Sequence, residues 1–314
     1  MVFLLFHSLN VFSQPIKKDT SYTVYQTYMK LKKKYPKIKI AKAIASPDLK
    51  MEKNIIYKSI SNENGSRALH LDIYRPAKQG VYPALVMIHG GGWLSGDKSM
   101  EGPMAQQIAL NGYVSVAVEY RLSNEAKYPA AVFDIKSAIR WLKVHAKKYG
   151  IDTSKVAIEG ESAGGQLAAL VGMSNSNQIF ENLSDRPTCT STVQAVIDID
   201  GVVDFLAPNS LNNPRKPNSA DVLWLGGTFD HIPLIWKQAS AAFYVDKHSI
   251  PIIFITSSIP RFHAGKDEMM DILHQNGIYT KSYTIPDTPH SFWFFHPWYD
   301  LTYKYMLQFL RKAF

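Results

Sequence analysis

From residue 54 onward the apolar positions arrive in two alternating rhythms. Asn54 to Ile60 and Leu69 to Tyr74 read as strands, the second setting apolar Leu69, Leu71 and Ile73 between more polar neighbours. Pro83 to Ile88 is a continuous apolar run that stops at His89 and the glycines behind it, the pattern of a strand covered on both faces. A helical run over Met104 to Leu110 closes at Asn111-Gly112, and Tyr113 to Val118 forms the next strand. Pro129 to Tyr149 then puts Val132, Ile135, Ile139, Leu142 and Ala146 on one helical face, with Gly150 as its stop. The strand Val156 to Ile158 follows, then a helix from about Gly165 and strands over Val193 to Ile199 and Ile252 to Ile255. A helix near Asp267 to Gln275, a strand over Tyr279 to Ile285 and a closing helix from about Tyr299 complete the chain. This alternation predicts an α/β fold, a mostly parallel sheet with helices on both faces, in one domain over residues 51–314. Residues 205–250 are too long for a plain crossover. Their prolines (Pro208, Pro214, Pro217) and later aromatics (Trp224, Trp236, Phe243) predict a helical lid inserted over the site.

Composition adds a boundary at the front of the chain. The first 13 residues, MVFLLFHSLNVFS, are apolar and uncharged and end in a candidate cleavage site, so they predict a signal peptide and a secreted or periplasmic protein. The net charge of +9 is concentrated in residues 14–50, which hold ten lysines against Asp19 and Asp48. The rest of the chain has 25 basic and 24 acidic side chains and is nearly neutral. Without a basic stripe carrying aromatics in the body, nucleic acid is excluded as a partner. Residues 14–50 read as a basic N-terminal arm, a solvated helix over Tyr22 to Tyr35 or an attachment to an anionic surface. Cys189 is the one cysteine, which rules out an internal disulfide and a multi-cysteine metal site.

Two stretches carry chemistry. Gly160-Glu161-Ser162-Ala163-Gly164 lies between a short apolar strand and a helix-forming run, the context in which a nucleophilic serine sits on a sharp strand-to-helix turn. His89-Gly90-Gly91-Gly92-Trp93 follows another strand, and its three glycines bare backbone N–H groups suited to an oxyanion. Together and in this order, the two motifs resemble the α/β-hydrolases of the hormone-sensitive-lipase and acetyl-esterase kind, over roughly residues 54–314. The resemblance implies that the N–H groups of Gly91, Gly92 and Ala163 bind the oxyanion and that Asp134 is structural. The segment Pro286-Asp287-Thr288-Pro289-His290 resembles the loop that carries the catalytic histidine of these enzymes, which makes His290 the general base for Ser162.

The third member of a triad is less plain. The loop after the strand Ile252 to Ile255, where the acid is expected, reads Ser257-Ser258-Ile259-Pro260-Arg261 and has no carboxylate before Asp267. Asp200, at the end of Ala195-Val196-Ile197-Asp198-Ile199, ranks first, because an aspartate in so apolar a strand needs an assigned partner. Asp287, Asp267 and no acid at all stand behind it. Trp93, Arg261 and His263 are then candidates for substrate contact, the last two standing where the acid is missing, and His296 is expected at the rim. No metal and no cofactor are expected, since no histidine pair has ligand spacing. The sequence therefore reads as an exported serine carboxylesterase acting on a small-molecule or polysaccharide ester. Acetyl groups on cell-wall glycans are implied by the likeness of the segments around Arg261 and His290 to polysaccharide-associated esterases. An exported serine peptidase of the same fold and a catalytically silent binding protein are the alternatives.

Overall fold

The computed structural model describes residues 19, 21–62, 65–175, 177–181 and 189–314. The expected signal peptide, residues 1–13, lies outside the described residues. After α1 (Val24–Leu31) and β1 (Lys39–Ile40), the chain enters a long antiparallel pair, β2 (Leu49–Asn62) and β3 (Gly65–Pro76). Then come β4 (Tyr82–Ile88), α2 (Gly102–Ala109), β5 (Val114–Val118), α3 (Ala130–Val144), α4 (Ala146–Tyr149) and β6 (Ile151–Glu161). The order continues with α5 (Ala163–Met173), β7 (Ala195–Ile199), α6 (Pro208–Leu211), α7 (Ala220–Leu225), α8 (Pro233–Gln238) and β8 (Ile252–Thr256). It closes with α9 (Lys266–Gln275), β9 (Thr280–Thr284), β10 (Phe295–His296) and α10 (Trp298–Ala313).

Eight strands form one sheet in the order β2-β3-β5-β4-β6-β7-β8-β9. The β2–β3 and β3–β5 pairs are antiparallel and all later pairs are parallel. The continuous apolar runs of the sequence are the central strands, because alternate residues of each face opposite layers. Val86, Ile158, Val196 and Phe254 point into one core with Leu142 of α3, Leu167 of α5 and Met269 of α9. Leu85, Met87, Ile197 and Ile253 point into the other with Ile108 of α2 and Leu310 of α10. Each such fully buried side chain contributes about 1.5–3 kcal/mol, so the two layers hold the sheet without any disulfide.

Strands β2 and β6 run further than the apolar patterns suggest. The N-terminal end of β2 takes the chain from Leu49 through a register shift at Asn54, whose φ of 57° marks the bulge. A domain boundary at residue 50 therefore falls inside a strand. Residues 205–250 fold as the three short helices α6, α7 and α8 plus a helical turn at Ala241–Tyr244, and their first part stands over the nucleophile.

The expectation of a separate, solvated arm is corrected. Tyr22, Val24, Tyr28, Leu31 and Tyr35 pack against the α10 side of the core, and β1 pairs antiparallel with β10. Tyr35 meets Trp298 edge-on at 5.1 Å, and Thr23 caps α1 by accepting from the Gln26 N–H at 3.1 Å. Lys30, Lys32, Lys33, Lys34, Lys37, Lys39 and Lys42 stay exposed on the outer side. Weighing only the charge of this segment overlooks its regularly placed tyrosines and aliphatics, which bury one face while the lysines solvate the other.

Candidate active site

The elbow is built by close backbone approach. Strand β6 runs into Ser162, whose φ of 54° and ψ of −116° lie outside the usual regions for an L-residue, and α5 begins at the next residue. A conformation of this kind costs about 1–3 kcal/mol and persists only where its surroundings enforce it. Here they do. A Cβ on Gly164 would meet the Ile88 carbonyl oxygen at 1.9 Å, one on Gly160 would meet the Gly164 carbonyl oxygen at 2.3 Å, and the Ser162 N–H donates to the Ile199 carbonyl at 2.8 Å. The glycines of the motif are thus the condition for α5 crossing directly over β4 and β6. The Ser162 hydroxyl is left free of any capping bond at the positive end of α5.

The hydroxyl lies 2.8 Å from His290 Nε2, and His290 Nδ1 lies 2.8 Å from Asp200 Oδ2. A carboxylate only accepts, so it holds the proton on Nδ1 and leaves Nε2 to accept from the serine. The other oxygen of Asp200, Oδ1, accepts from the Ser257 N–H at 2.9 Å, and the side chain is wholly buried. Strand β7 ends at Ile199, and Asp200 turns to a φ of 54°, aiming its carboxylate at the loop after β8 and at His290. Asp198, two residues earlier, stays against α5, where its Oδ1 accepts from the Gly201 N–H at 2.7 Å, and burial pushes its pKa well up. Of the three aspartates weighed, Asp200 is the one brought to His290. Asp267 opens α9, pairs with Lys266 and is 81 % exposed, while Asp287 sits in the turn, where its N–H donates to Ser258 Oγ at 3.2 Å.

The segment that lacks an acid supplies a ring instead. Phe262 lies flat on the His290 imidazole, centroids 3.5 Å apart and planes 10° apart, and Trp293 meets the same ring edge-on at 5.2 Å. Sequence reasoning overlooked both. The one available signal was aromatic: Phe262 in the short loop after a central strand, and the Phe-Trp-Phe-Phe run directly behind His290. Tyr22 was missed too, its hydroxyl lying 3.2 Å from Ser291 Oγ.

A cavity of about 270 Å³ opens above Ser162, walled by Trp93, Phe205, Arg215, Ala220 and Arg261 among others. Gly92 and Ala163 line it beside the serine. Ala163 is the first residue of α5, so its N–H has no acceptor within the helix. Gly91 is not among the lining residues; its carbonyl accepts from the N–H and hydroxyl of Ser95 at 3.1 and 3.0 Å and so braces the loop. Trp93 is a fixed wall, stacked on Trp224 at 4.6 Å with its indole N–H donating to Gln166 Oε1 at 3.1 Å. Arg261 reaches the cavity and His263 does not. His263 ends the tight turn Pro260–His263, half-buried, and burial pulls its pKa down. Asp134 is held by Arg121 through two bonds of 2.7 and 2.8 Å, away from the cavity lining. His296 pairs with Asp300 at 2.8 Å and lies outside the lining as well.

A second group of acids was not anticipated. Glu159 and Glu161 alternate along β6 and meet Glu101, with oxygens of all three within 4.8 Å of one another. All three are buried, and burial raises Glu101 to about 7 and the other two well above their ordinary value. Such a group has enough oxygens for a cation, but it is equally satisfied by sharing protons.

Known proteins resemble this chain along most of the domain. The Mycobacterium tuberculosis protein named probable carboxylic ester hydrolase LipM is 35% identical over 229 residues, covering 70% of this chain and 50% of its own. Carboxylesterase NlhH of the same organism is 32% identical over 218 residues, covering 60% and 67%. The solved structure of a truncated form of carbohydrate esterase from gut microbiota superposes with a TM-score of 0.75 at 25% identity, covering 87% of this chain and 99% of that one. The chain spans about half the length of the first curated relatives that it matches. Its sheet, elbow and helix layers are those of the α/β-hydrolase fold. With residues 71–276 matched by the family model described as BD-FAE, the chain belongs to the BD-FAE family.

Proposed function

We propose that the protein is a serine carboxylesterase, and the observation that carries this reading is the unbroken line Ser162 Oγ, His290 Nε2, His290 Nδ1, Asp200 Oδ2 with both spacings at 2.8 Å. Ser162 Oγ attacks the ester carbonyl as its proton passes to His290 Nε2, and the charge on the imidazolium is balanced by Asp200. The N–H groups of Gly92 and Ala163 take the oxyanion, aided by the N-terminal end of α5. The proton then goes from His290 to the departing alkoxide, leaving an acyl-serine that water hydrolyses by the same route. The ester hydrolase names of LipM and NlhH support the reaction class.

The finer reading is an exported enzyme that removes short acyl groups, acetyl foremost, from polysaccharides. A cavity of about 270 Å³ closed by the fixed Trp93 supports a short acyl group. The likeness to a gut carbohydrate esterase supports a glycan as the alcohol, and residues 1–13 support export. The exposed lysines of residues 30–42 would meet an anionic surface. Hydrolysis of a chromogenic acetate, with covalent labelling of Ser162 by an organophosphonate, tests the chemistry. Ser162→Ala and His290→Ala should each reduce turnover by about 10⁴-fold or more with the fold intact. Undiminished turnover in either variant would remove the mechanism. Acetate release from acetylated glycans, and fractionation of producing cells, test the substrate and the location.

A further inference from the structure

The cavity above Ser162 contains two arginines in different circumstances. Arg215 is fully engaged: its Nε donates to Asp221 at 2.6 Å, its Nη1 to the Ser210 carbonyl at 2.9 Å and its Nη2 to Ser210 Oγ at 2.9 Å. Arg261 is exposed at the cavity edge, and among the described residues no carboxylate lies within ion-pair distance of it. Its guanidinium lies over the face of Phe262, 4.7 Å from the centroid, and Phe262 in turn lies on His290. A cation over a ring is held by the ring's electrostatics and consumes no conventional hydrogen bond, so the guanidinium N–H donors stay available.

The two carboxylates that share this cavity are both taken. Asp221 is bound by Arg215, and Asp200 is bound by His290 and the Ser257 N–H. The wall therefore presents one uncompensated, oriented cation one ring away from the catalytic imidazole. Planar guanidinium groups match a carboxylate through paired N–H bonds. Resting on the esterase reading given above, we propose that Arg261 selects ester substrates that carry a carboxylate, binding it at the cavity edge while the ester carbonyl lies over Ser162. The preference is for an anionic acyl or alcohol part over its neutral counterpart of equal size.

The test measures kcat/KM for wild type, Arg261→Gln and Arg261→Lys on two matched pairs of esters. Mono-4-nitrophenyl glutarate against 4-nitrophenyl 4-carbamoylbutanoate places the charge on the acyl side. For the alcohol side the pair is 3-acetoxybenzoate against 3-acetoxybenzamide, and each rate is divided by that of alkaline hydrolysis. In one pair wild type should favour the anionic ester by about tenfold at low salt, the size of one charge-assisted contact at an exposed edge. Arg261→Gln should bring that ratio to about one, Arg261→Lys should fall between, and added salt should lower the wild-type ratio. A wild-type ratio near one in both pairs, or a preference that survives Arg261→Gln, overturns the proposal. Equal loss on both members of a pair also overturns it, since Arg261 would then act by bracing Phe262 against His290. If wild type hydrolyses neither the neutral nor the anionic ester, the esterase reading itself fails and this one with it; the neutral ester separates the two failures.

Discussion

Two sets of buried acids flank the nucleophile, Asp200 through His290 and the Glu101–Glu159–Glu161 group through Glu161, the residue before Ser162, and they solve the same physical problem in opposite ways. Asp200 is wholly buried, yet both of its oxygens meet donors, the Ser257 N–H and the His290 ring. Glu101, Glu159 and Glu161 are equally buried but face mainly one another, and among the described residues five of their six oxygens meet no donor outside the group. A carboxylate keeps its charge in an apolar interior when donors replace the water that it lost; otherwise it takes up a proton. The first arrangement is fitted to orient and balance an imidazolium. The second holds protons behind the elbow, because burial raises all three groups.

The strongest way to break this comparison is at Asp200. Asp200→Asn keeps the shape but can present an N–H to His290 Nδ1, which favours the wrong tautomer, and turnover should fall by about 10⁴-fold with stability little changed. Asp267→Asn and Asp287→Asn should remain close to wild type when assayed beside it. If either of these loses most activity and Asp200→Asn does not, the acid has been misassigned.

Next in size is the ring on which His290 rests. Phe262→Ala removes a stacked aromatic contact worth about 0.5–1.5 kcal/mol, so kcat should drop by up to about tenfold while labelling of Ser162 still occurs. Tyr22→Phe is a gentler probe of the docked N-terminal segment. It deletes one hydrogen bond to Ser291, worth about 1 kcal/mol, and should slow turnover a few-fold. An unchanged rate would mean that the segment only covers the core and does not steady the histidine loop.

The smallest effect concerns the glutamates and is read in stability rather than rate. Glu101 has an ordinary value of 4.5 and is raised to about 7 in the folded protein by burial. The fold thus holds a proton that the unfolded chain releases earlier. Its contribution is fully present below pH 4.5 and is lost as the pH rises through about 7. Glu101→Gln should flatten the fall in Tm between those limits by about one to two degrees, as a change of about 1 kcal/mol would in a chain of 314 residues. A pH profile of Tm identical to that of wild type would show that the cluster holds its charge by some other means, a bound cation included.

Much of this was legible along the chain, for local reasons. The run Pro83 to Ile88, the helix face from Val132 to Ala146 and the turn residues between them set the order of strands and helices, because periodicity is a property of neighbouring residues. Ser162 and the glycines around it were legible in the same way: the sharp turn that they build is a matter of five residues, and the backbone contacts of Gly160 and Gly164 explain why no other residue fits. His290 could be placed from its motif and from its position between the last strand of the main sheet and the final helix.

What lies between distant segments was decided by the sheet. Asp200 and His290 are 90 residues apart, and they meet because β7, β8 and β9 are neighbours, so that the loops at the ends of these strands converge. The same convergence brings Phe262 onto the imidazole and leaves Arg261 beside the cavity, where the sequence offered Arg261 for substrate contact but gave no sign of the ring. Glu101 meets Glu159 and Glu161 because α2 and the turn before it lie on the face of the sheet opposite α5. The lysine-rich segment docks for a reason invisible to its charge: the apolar groove beside α10 exists only after the sheet has formed, and burying tyrosines there outweighs leaving them in water. Neighbouring residues alone specify the main elements, their order, the elbow and the base, and they rank Asp200 first among the acids; the meeting of Asp200 with His290, the ring on that histidine and the grouping of the glutamates depend on which strands lie side by side.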